Sequence, residues 1–420
     1  QKRLRKEALF FYVTRGGVGI SPFYSDIDEV RPATVMCFQD GRIESQTYLN
    51  WQDFLEIHPI DPAAAQQRFT EIASGYLSAL VKDQGAVGCL LSGGTDSALI
   101  AWLLREIGAN TLCLTADYSW EKYSEFSSAA ATAAAVGLAH ERVPITASNR
   151  RDSLYALNNA RQNAPCSVGL SPILYQLAGA ASKHGISILA TGDHADSLFL
   201  GFERFFHSFP AEHEAYLKAT AALTPAARIA SLNSRTAPHP ADEPLLAALG
   251  SSAGECLEWE NALFEEDCAR LSQWAGATPL HTLQQLTGQL WAGISFQNLF
   301  LPVTQALDHR IEFVSPFYDL EMIRFALSLP AEYKFRNGAT KVLLRDLLAR
   351  TLGRAVAKRA SPNPARFWRL MPDLRERSLQ GKALRPVYDR ACFRNLVDMG
   401  ASWNQVDKVG ALGMWLTAQG

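Results

Sequence analysis

Five residues in one short stretch have side chains and a spacing that suit phosphate chemistry. They are Ser92, Gly93, Gly94, Asp96 and Ser97 in the sequence SGGTDS. Glycines let backbone N–H groups approach phosphate oxygens closely, and serine hydroxyls donate further hydrogen bonds. An aspartate can hold a magnesium ion that bridges two phosphates. The stretch therefore predicts a nucleotide phosphate site.

The residues on either side of this stretch predict the elements that position it. An apolar run from Val87 to Leu91 is typical of a buried strand, and apolar residues at helical spacing follow from Ala98 to Leu104. A strand, a glycine turn and a helix place phosphate at the positive end of the helix. Leu91 is therefore included among the predicted nucleotide contacts. The lysine of a P-loop is missing from the stretch.

Strands and helices alternate along this part of the chain. Strands are predicted over Thr111–Thr115, His140–Val143 and Ile186–Ala190, and helices over Pro62–Lys82, 123–136 and 170–183. This alternation predicts an α/β fold, a parallel sheet with helices on both faces. Ligands of such sheets bind at the carboxyl ends of the strands. Thr115, Thr191 and Gly192 lie at those ends and are candidate ATP contacts.

Composition places few limits on function. The chain has 420 residues, 48% hydrophobic residues and a formal net charge of -2, so it offers no bulk attraction to nucleic acid or to an anionic membrane. No signal peptide and no membrane span are expected. The seven cysteines are scattered, which favours a reducing cytoplasm. Cys89 and Cys113 are expected to be small apolar residues inside strands.

SGGTDS resembles the pyrophosphate-binding loop of the N-type ATP pyrophosphatases. This family includes asparagine synthetase, β-lactam synthetase, lasso peptide cyclases and GMP synthetase, which cleave ATP between the α and β phosphates. The sequence TGDHADSLFLG, from Thr191 to Gly201, is similar to the SGEGxDExFGGY segment of asparagine synthetases. The resemblance implies an adenine nucleotide alpha hydrolase-like fold followed by a mainly helical C-terminal part, with ATP and Mg²⁺ as cofactors.

The resemblance also implies roles for individual residues. Asp196 matches a second magnesium carboxylate beside Asp96, and Asp193 replaces a glutamate that handles a proton near the attacking amine. Lys341, in TKVLLR, matches a lysine that reaches ATP phosphates. Arg359 matches the arginine of an arginine, any residue, lysine pattern. His194 falls where the family often has glycine and is expected to be exposed or to cap a helix.

The chain departs from the family pattern at four further positions. Thr304 and Gln305 stand where the family has an aspartate and an arginine, and Val314 replaces another arginine. Ser361 falls on the lysine that stabilises the acyl-adenylate transition state, although a shifted loop would let Lys358 or Arg359 serve. Loss of that charge puts ordinary amide synthesis in doubt, because positive charge at an oxyanion is a large catalytic effect.

The predicted organisation has four parts: a glutaminase-like tail over 1–55, the ATP core over 56–207, an insertion or lid over 208–254 and a helical part over 255–420. Residues up to about 60 are interpreted as hairpins. Ile27–Trp51 resembles the end of a glutaminase domain and is expected to dock onto a separate subunit or a missing N-terminal portion. The earliest cysteine, Cys37, lies in an apolar extended segment that disfavours a thiolate nucleophile, so the chain alone is not expected to use glutamine.

The leading hypothesis is an ATP-dependent carbon–nitrogen ligase that forms an amide, lactam or macrolactam in specialised biosynthesis. Its partners are a small-molecule or peptide carboxylate and an amine or ammonia, with no nucleic acid and no membrane. Three alternatives stay open: an ammonia-dependent asparagine synthetase-like enzyme, a sulfur- or nitrogen-transfer enzyme that adenylates a carbonyl, and a non-catalytic binding partner.

Overall fold

The structure is a computed structural model. It describes residues 3–15, 23–28, 30, 33–49, 54, 56–118, 125–160, 170–201, 222–224, 246–247, 249–259, 261–262, 300–308, 310–337 and 339–357. Within them the helices are α1 Lys6–Arg15, α2 Pro62–Val81, α3 Thr95–Glu106, α4 Phe126–Val136, α5 Ala147–Ala160, α6 Ser171–Lys183, α7 Ala195–Phe199, α8 Leu301–Ala306, α9 Leu320–Ser328, α10 Val342–Thr351 and α11 Arg354–Ala357. The strands are β1 Thr34–Gln39, β2 Arg42–Thr47, β3 Val87–Leu90, β4 Thr111–Tyr118, β5 Ala139–Ile145, β6 Ile188–Ala190, β7 Glu312–Val314, β8 Phe335–Arg336 and β9 Ala339–Thr340.

The central sheet has five parallel strands in the order β5-β4-β3-β6-β7. Its first four strands are the four predicted from the sequence, so the predicted parallel α/β fold is confirmed. The fifth strand, β7, comes from a part of the chain predicted to be helical. Three residues are too few to show a strand period, and β7 forms because it pairs with β6 along Ile188–Ala190.

Neighbouring strands of the sheet end at different heights. β3 ends at Leu90, which pairs with Leu114, whereas β4 continues to Tyr118 and stays paired with β5 as far as Ile145. At about 3.3 Å per residue, the four extra residues raise the end of β4 by roughly 13 Å. The β4–β5 ribbon therefore forms a wall on one side of the phosphate loop.

Helices cover both faces of the sheet. One core cluster joins α2, α3, α9 and α10 to sheet residues such as Cys89 and Cys113. A second cluster joins α5, α6 and α8 to the opposite face through residues such as Leu114 and Leu189. Cys89 and Cys113 are buried and free, as predicted. The sequence pattern does not predict α5, whose polar sequence conceals the buried pair Leu154 and Leu157.

Local signals explain why α2 forms before the phosphate loop. The Asp61 carboxylate caps the helix by accepting hydrogen bonds from the N–H groups of Ala63 and Ala64, both at 3.0 Å. Pro62 occupies the first turn, where it costs no hydrogen bond. Apolar residues at helical spacing, such as Phe69, are then buried against α3 and the sheet.

The N-terminal region differs from the predicted hairpins. Residues 6–15 form α1, and its aromatic residues are buried, with the ring of Phe10 packed 5.8 Å from that of Trp259. This long-range packing favours a helix that short-range turn signals do not predict. The predicted hairpin with an Asp40–Gly41 turn is present as β1 and β2. Cys37 on β1 is exposed, so its expected apolar surroundings are wrong for this residue.

No helix among the residues placed by the structure is long and apolar enough to cross a membrane. Most of the predicted lid over 208–254 lies outside the described residues, as do all residues beyond Ala357. The predicted domain boundaries therefore stay predictions.

Candidate functional site

The phosphate loop joins β3 to α3 and is held by its own hydroxyl groups. The Ser92 N–H donates to Ser97 Oγ at 3.1 Å, and the Gly94 N–H donates to Ser92 Oγ at 3.3 Å. Gly94 is the N-cap of α3 and has no side chain to cap it, so the N–H groups of this helix end face the loop. Gly93 has a φ of +76°, and a Cβ there would lie 2.9 Å from the Ala129 nitrogen. Glycine is therefore required at this position.

The segment after β6 packs directly on the start of α3. A Cβ on Gly192 would lie 2.6 Å from the Asp96 Cβ, so only glycine allows this approach. The Thr191 N–H donates to the Val314 carbonyl at 2.9 Å, and Thr191 Oγ1 accepts from the Asp193 N–H at 3.1 Å. The two predicted sites at the ends of β3 and β6 are thus brought together.

Lys341 joins two carboxylates at the centre of the site. Its Nζ lies 2.5 Å from Asp96 Oδ2 and 2.6 Å from Asp196 Oδ1. Its backbone, at the N-cap of α10, has a left-handed φ of +52°. Gly201 leaves room for the side chain, because a Cβ there would lie 1.8 Å from Lys341 Cε. We call Asp96, Asp196 and Lys341 the charge cluster.

Burial and charge act in opposite directions within the charge cluster. Burial raises the pKa of Asp96 to about 6, against the opposing effect of the Lys341 ammonium. Burial alone would lower the pKa of Lys341, but the carboxylates of Asp196 and Asp96 outweigh it and raise that pKa. Arg345, one helical turn after Lys341, adds positive charge that lowers the pKa of Asp96. The lysine is therefore fully charged and electrostatically bound to both acids.

The charge cluster fits a magnesium ion bound together with phosphate. Asp96 Oδ1 is buried and has no hydrogen-bond partner among the described residues. Mg²⁺ is usually bound through one or two carboxylates plus substrate phosphate oxygens. Within the part of the chain that the structure describes, no group of three or more His, Cys, Asp or Glu residues could hold a metal ion. Asp96 and Asp196 therefore suit a metal whose other ligands come from the nucleotide and water.

Asp193 lies at the same edge of the sheet but has different neighbours. The Tyr318 hydroxyl donates to Asp193 Oδ2, and Ser315 Oγ donates to the Asp193 carbonyl at 2.8 Å. Burial raises the pKa of Asp193 to about 6, and the Tyr318 hydrogen bond opposes that rise. A carboxyl group with such a pKa exchanges protons near neutral pH. We call Asp193 and Tyr318 the proton pair.

His194 is neither exposed nor a helix cap through its side chain, contrary to the expectation. Its ring stacks on Tyr318, with centroids 4.9 Å apart and planes 3° apart. It occupies the N-cap of α7 with a left-handed φ of +72° and makes no side-chain capping bond. Burial lowers its pKa to about 4, so the ring is neutral at physiological pH. His194 thus supports the proton pair by packing.

Two of the predicted ATP contacts do not reach the charge cluster through their side chains. The Thr115 hydroxyl is buried, donates to the Leu91 carbonyl at 2.5 Å and lies 2.8 Å from His140 Nε2. The Leu91 side chain is buried in the core. Contacts from these two residues to a nucleotide stay predictions.

The remaining predicted positions lie away from the cluster or outside the described part. Lys358, Arg359 and Ser361 are outside the described residues, so the predicted catalytic role of Arg359 stays a prediction. Val314, which replaces a family arginine, is buried in β7. Its apolar side chain packs in the core and brings no positive charge to the site.

The sequence interpretation assigned no role to three residues that complete the site: Tyr318, Arg345 and Gly201. Gly201 ends TGDHADSLFLG and Arg345 ends TKVLLR, so both belong to stretches already noted for resemblance, whereas Tyr318 lies in PFYD, outside them. Their contacts with the site acids cannot be predicted from spacing in the sequence, because Tyr318, for example, is 125 residues from Asp193 along the chain.

Comparison with known proteins agrees with this geometry. The family model described as Asparagine synthase matches residues 77–417, well over half of the chain. The chain belongs to the asparagine synthase family. This match confirms the family resemblance predicted from the sequence. It makes the chain part of a family of asparagine synthetase-like, ATP-dependent ligases.

Individual relatives of this asparagine synthase family member are distant. A putative glutamine-hydrolyzing asparagine synthetase of Mycobacterium tuberculosis is 26% identical over 336 residues, covering 74% of this chain and 50% of the relative. Glutamine-hydrolyzing asparagine synthetase 1 of Bacillus subtilis is 25% identical over 302 residues, covering 67% of this chain and 47% of the relative. The chain thus spans about half the length of these relatives.

Among solved structures, an NMN synthetase from Francisella tularensis matches 34% of this chain and 59% of its own. The sequence identity is 19% and the TM-score is 0.25. A score this low carries no structural argument, so the fold assignment rests on the five-stranded parallel sheet itself.

Proposed function

We propose that this protein is an AMP-forming ligase that adenylates a substrate carboxylate and joins it to an amine. The observation that carries the proposal is the convergence of Asp96, Asp196 and Lys341 above the SGGTDS loop, with distances of 2.5 and 2.6 Å from the ammonium to the two carboxylates. A loop of neutral donors, two acids and one cation is the set of groups that pyrophosphate and a divalent cation require.

In the first step, a carboxylate oxygen of the substrate attacks the α phosphorus of ATP. The bond from that phosphorus to the oxygen bridging to the β phosphate breaks, and pyrophosphate leaves with the bonding electrons. The N–H groups at the start of α3 and the Lys341 ammonium bind the departing oxygens. Magnesium held by Asp96 and Asp196 would supply neutralisation of the phosphate charge when bound.

In the second step, the amine nitrogen attacks the acyl carbon and AMP leaves. The amine must lose a proton as the new bond forms, and we propose that Asp193 accepts it. The Tyr318 hydroxyl bonded to Asp193 Oδ2 holds the carboxylate in one orientation and donates to its charged form. The Asp193 side chain is one methylene group shorter than that of the family glutamate, and the hydrogen bond from Tyr318 fixes the position of its carboxylate.

The substrate is proposed to differ from aspartate. An arginine of the family pattern is replaced by Val314, which is buried, and an aspartate–arginine pair is replaced by Thr304 and Gln305. Without those charges, the protein favours a carboxylate with few other charged groups. This supports a role in specialised biosynthesis, with an amine either in the same substrate, giving a lactam or macrolactam, or supplied separately.

The test is a panel of candidate acids incubated with ATP and magnesium, with products separated by chromatography. Acid-dependent formation of pyrophosphate and AMP in equal amounts is expected. ADP and phosphate as products would contradict the assignment. Product masses then distinguish the amine sources, because ring closure removes one water from a single substrate molecule.

A parallel assay follows glutamate release from glutamine with and without ATP. Glutamine use by this chain is not expected, and ligation supported by ammonium or by an internal amine agrees with the proposal. Glutamate formation that is lost in Cys37→Ala would show that the exposed Cys37 acts as a nucleophile. Preference for aspartate with ammonium would instead indicate an asparagine synthetase-like activity.

A further inference from the structure

We infer that Lys341 occupies the magnesium position of the nucleotide-free protein, so that the cation enters only together with ATP and the lysine moves to the phosphates as it does. This inference rests on the proposed function, which assigns Asp96 and Asp196 to magnesium. It goes further in giving the site a binding order and in giving Lys341 two successive partners.

The first support is the position of the ammonium group. Lys341 Nζ lies 2.5 Å from Asp96 Oδ2 and 2.6 Å from Asp196 Oδ1, so one cation bridges both acids. A magnesium ion bound by the same two oxygens would have to take the same place, because its bonds to oxygen are about 2.1 Å long. The ammonium and the metal therefore cannot both bind these two oxygens, Asp96 Oδ2 and Asp196 Oδ1.

The second support is that the backbone at Lys341 and Gly201 leaves room for the lysine side chain beside Asp196. Lys341 has a left-handed φ of +52°, which costs free energy for a residue with a side chain. At Gly201 a Cβ would lie 1.8 Å from Lys341 Cε and 1.9 Å from Asp196 Oδ1. Any side chain at position 201 would separate the lysine from the acid. Both features serve one contact, the bridge between the two carboxylates.

The third support is the small number of acids. Two carboxylates and one ammonium leave a net charge of one negative unit, and the described residues offer no third acid to complete a metal site. A divalent cation without phosphate would have to displace the lysine from both of its carboxylate partners, Asp96 and Asp196. With ATP present, the phosphates supply the missing oxygen ligands and a new partner for the ammonium.

The experiment uses Mn²⁺ as the metal probe and electron paramagnetic resonance to count free ions, with α,β-methylene ATP as a nucleotide that resists cleavage. Wild-type protein without nucleotide is expected to bind no Mn²⁺ at the charge cluster. Addition of the analogue is expected to produce one bound Mn²⁺ per chain. In Lys341→Met, which has a similar length but no charge, Mn²⁺ without nucleotide is expected to bind at least about tenfold more tightly than in wild type.

Two controls assign the bound ion to this site. The double variant Lys341→Met with Asp196→Asn is expected to lose the new Mn²⁺ site, and Lys82→Met, which removes an exposed lysine, is expected to behave as wild type. Mn²⁺ alone should also raise the melting temperature of Lys341→Met but leave that of wild type unchanged.

Wild type that binds Mn²⁺ equally well with and without the analogue would overturn the inference, and this result does not depend on the folding of any variant. Failure of the proposed function gives a different result. In that case wild type binds no analogue at any Mn²⁺ concentration, while Lys341→Met still gains its metal site.

Discussion

Asp96 and Asp193 lie at the same edge of one sheet, and burial raises the pKa of each to about 6, yet their neighbours differ. Asp96 faces the Lys341 ammonium, whereas Asp193 receives a hydrogen bond from the neutral Tyr318 hydroxyl. A charged partner suits an acid that stays ionised and exchanges one cation for another. A neutral donor suits an acid that gains and loses a proton.

The comparison separates the two half-reactions. The charge cluster is expected to serve pyrophosphate departure, and the proton pair is expected to serve amine attack. Adenylation can be measured alone by exchange of labelled pyrophosphate into ATP, and the complete reaction can be measured by AMP formation. A variant of the charge cluster should therefore lose both activities, and a variant of the proton pair should lose mainly AMP formation.

The largest effect is expected for Asp96→Ala. Its loss removes a carboxylate that we propose binds magnesium and leaves Lys341 with one acid, so both assays should fall by more than about a thousandfold. Glu106→Gln, at the exposed far end of α3, is the matched control and should retain full activity. Retention of pyrophosphate exchange in Asp96→Ala would contradict the role of the charge cluster.

Asp193→Asn should affect mainly the second step. We expect AMP formation to fall roughly a hundredfold, the usual size of general base effects, while pyrophosphate exchange changes little. The melting temperature should stay close to that of wild type, because the amide still accepts from Tyr318. Asp83→Asn, which alters an exposed acid, provides the control. Equal losses in both assays would show that the two acids are not functionally distinct.

Tyr318→Phe should shift the pH dependence of the activity more than it lowers the activity at the optimal pH. Activity of wild type should fall as pH drops through about 6, where Asp193 becomes protonated and cannot accept a proton. The tyrosine hydrogen bond lowers that pKa, so its removal should move the acid limb upward by about one unit. Tyr155→Phe, on an exposed position of α5, should leave the profile unchanged. An acid limb that does not move would assign it to another group.

The smallest expected effect on activity belongs to Lys334, a buried cation outside both groups. Its Nζ donates to the Leu329 carbonyl at 2.6 Å, and burial lowers its pKa to about 7 from 10.5. Between these values the unfolded chain binds the proton and the folded chain does not. Stability therefore rises with pH from about 7 towards 10.5, with a slope of up to about 1.4 kcal/mol per pH unit.

Lys334→Met should abolish that slope and leave both assays nearly unchanged. Denaturant unfolding of wild type and variant at pH 7 and pH 9 measures the difference, and Lys82→Met is the exposed control. If wild type and Lys334→Met change in parallel between the two pH values, Lys334 does not titrate in this range.

The sequence predicts the part of the site that is local in the chain. β3, the SGGTDS loop and α3 follow from an apolar run, glycines and helical spacing within twenty residues or so. Long-range contacts leave no such signal. Lys341 is 245 residues from Asp96 along the chain, so resemblance to a family implied its role, and its position between two acids needed the structure.

Elements that form only by packing were also beyond the sequence pattern. β7 is three residues long and exists because β6 offers an edge, and α1 is helical because aromatic residues from distant segments cover it. The stacking of His194 on Tyr318 joins two segments that are far apart in the chain, so the local sequence of neither segment predicts it. In each case the decisive energy is tertiary burial, which outweighs local propensity.

The buried thiols of the central sheet allow the opening of the fold to be followed by the rate at which its cysteines are alkylated. Cys89 and Cys113 are paired in register on β3 and β4, and both are fully buried, whereas Cys37 is exposed. The hydrogen bond between the Cys89 thiol and Cys113, followed by burial, raises the pKa of Cys89, so its reactive thiolate is scarce. An alkylating reagent should therefore label Cys37 at once and the sheet cysteines only when the strands separate. The delay between the two labelling events reports how often the centre of the fold opens.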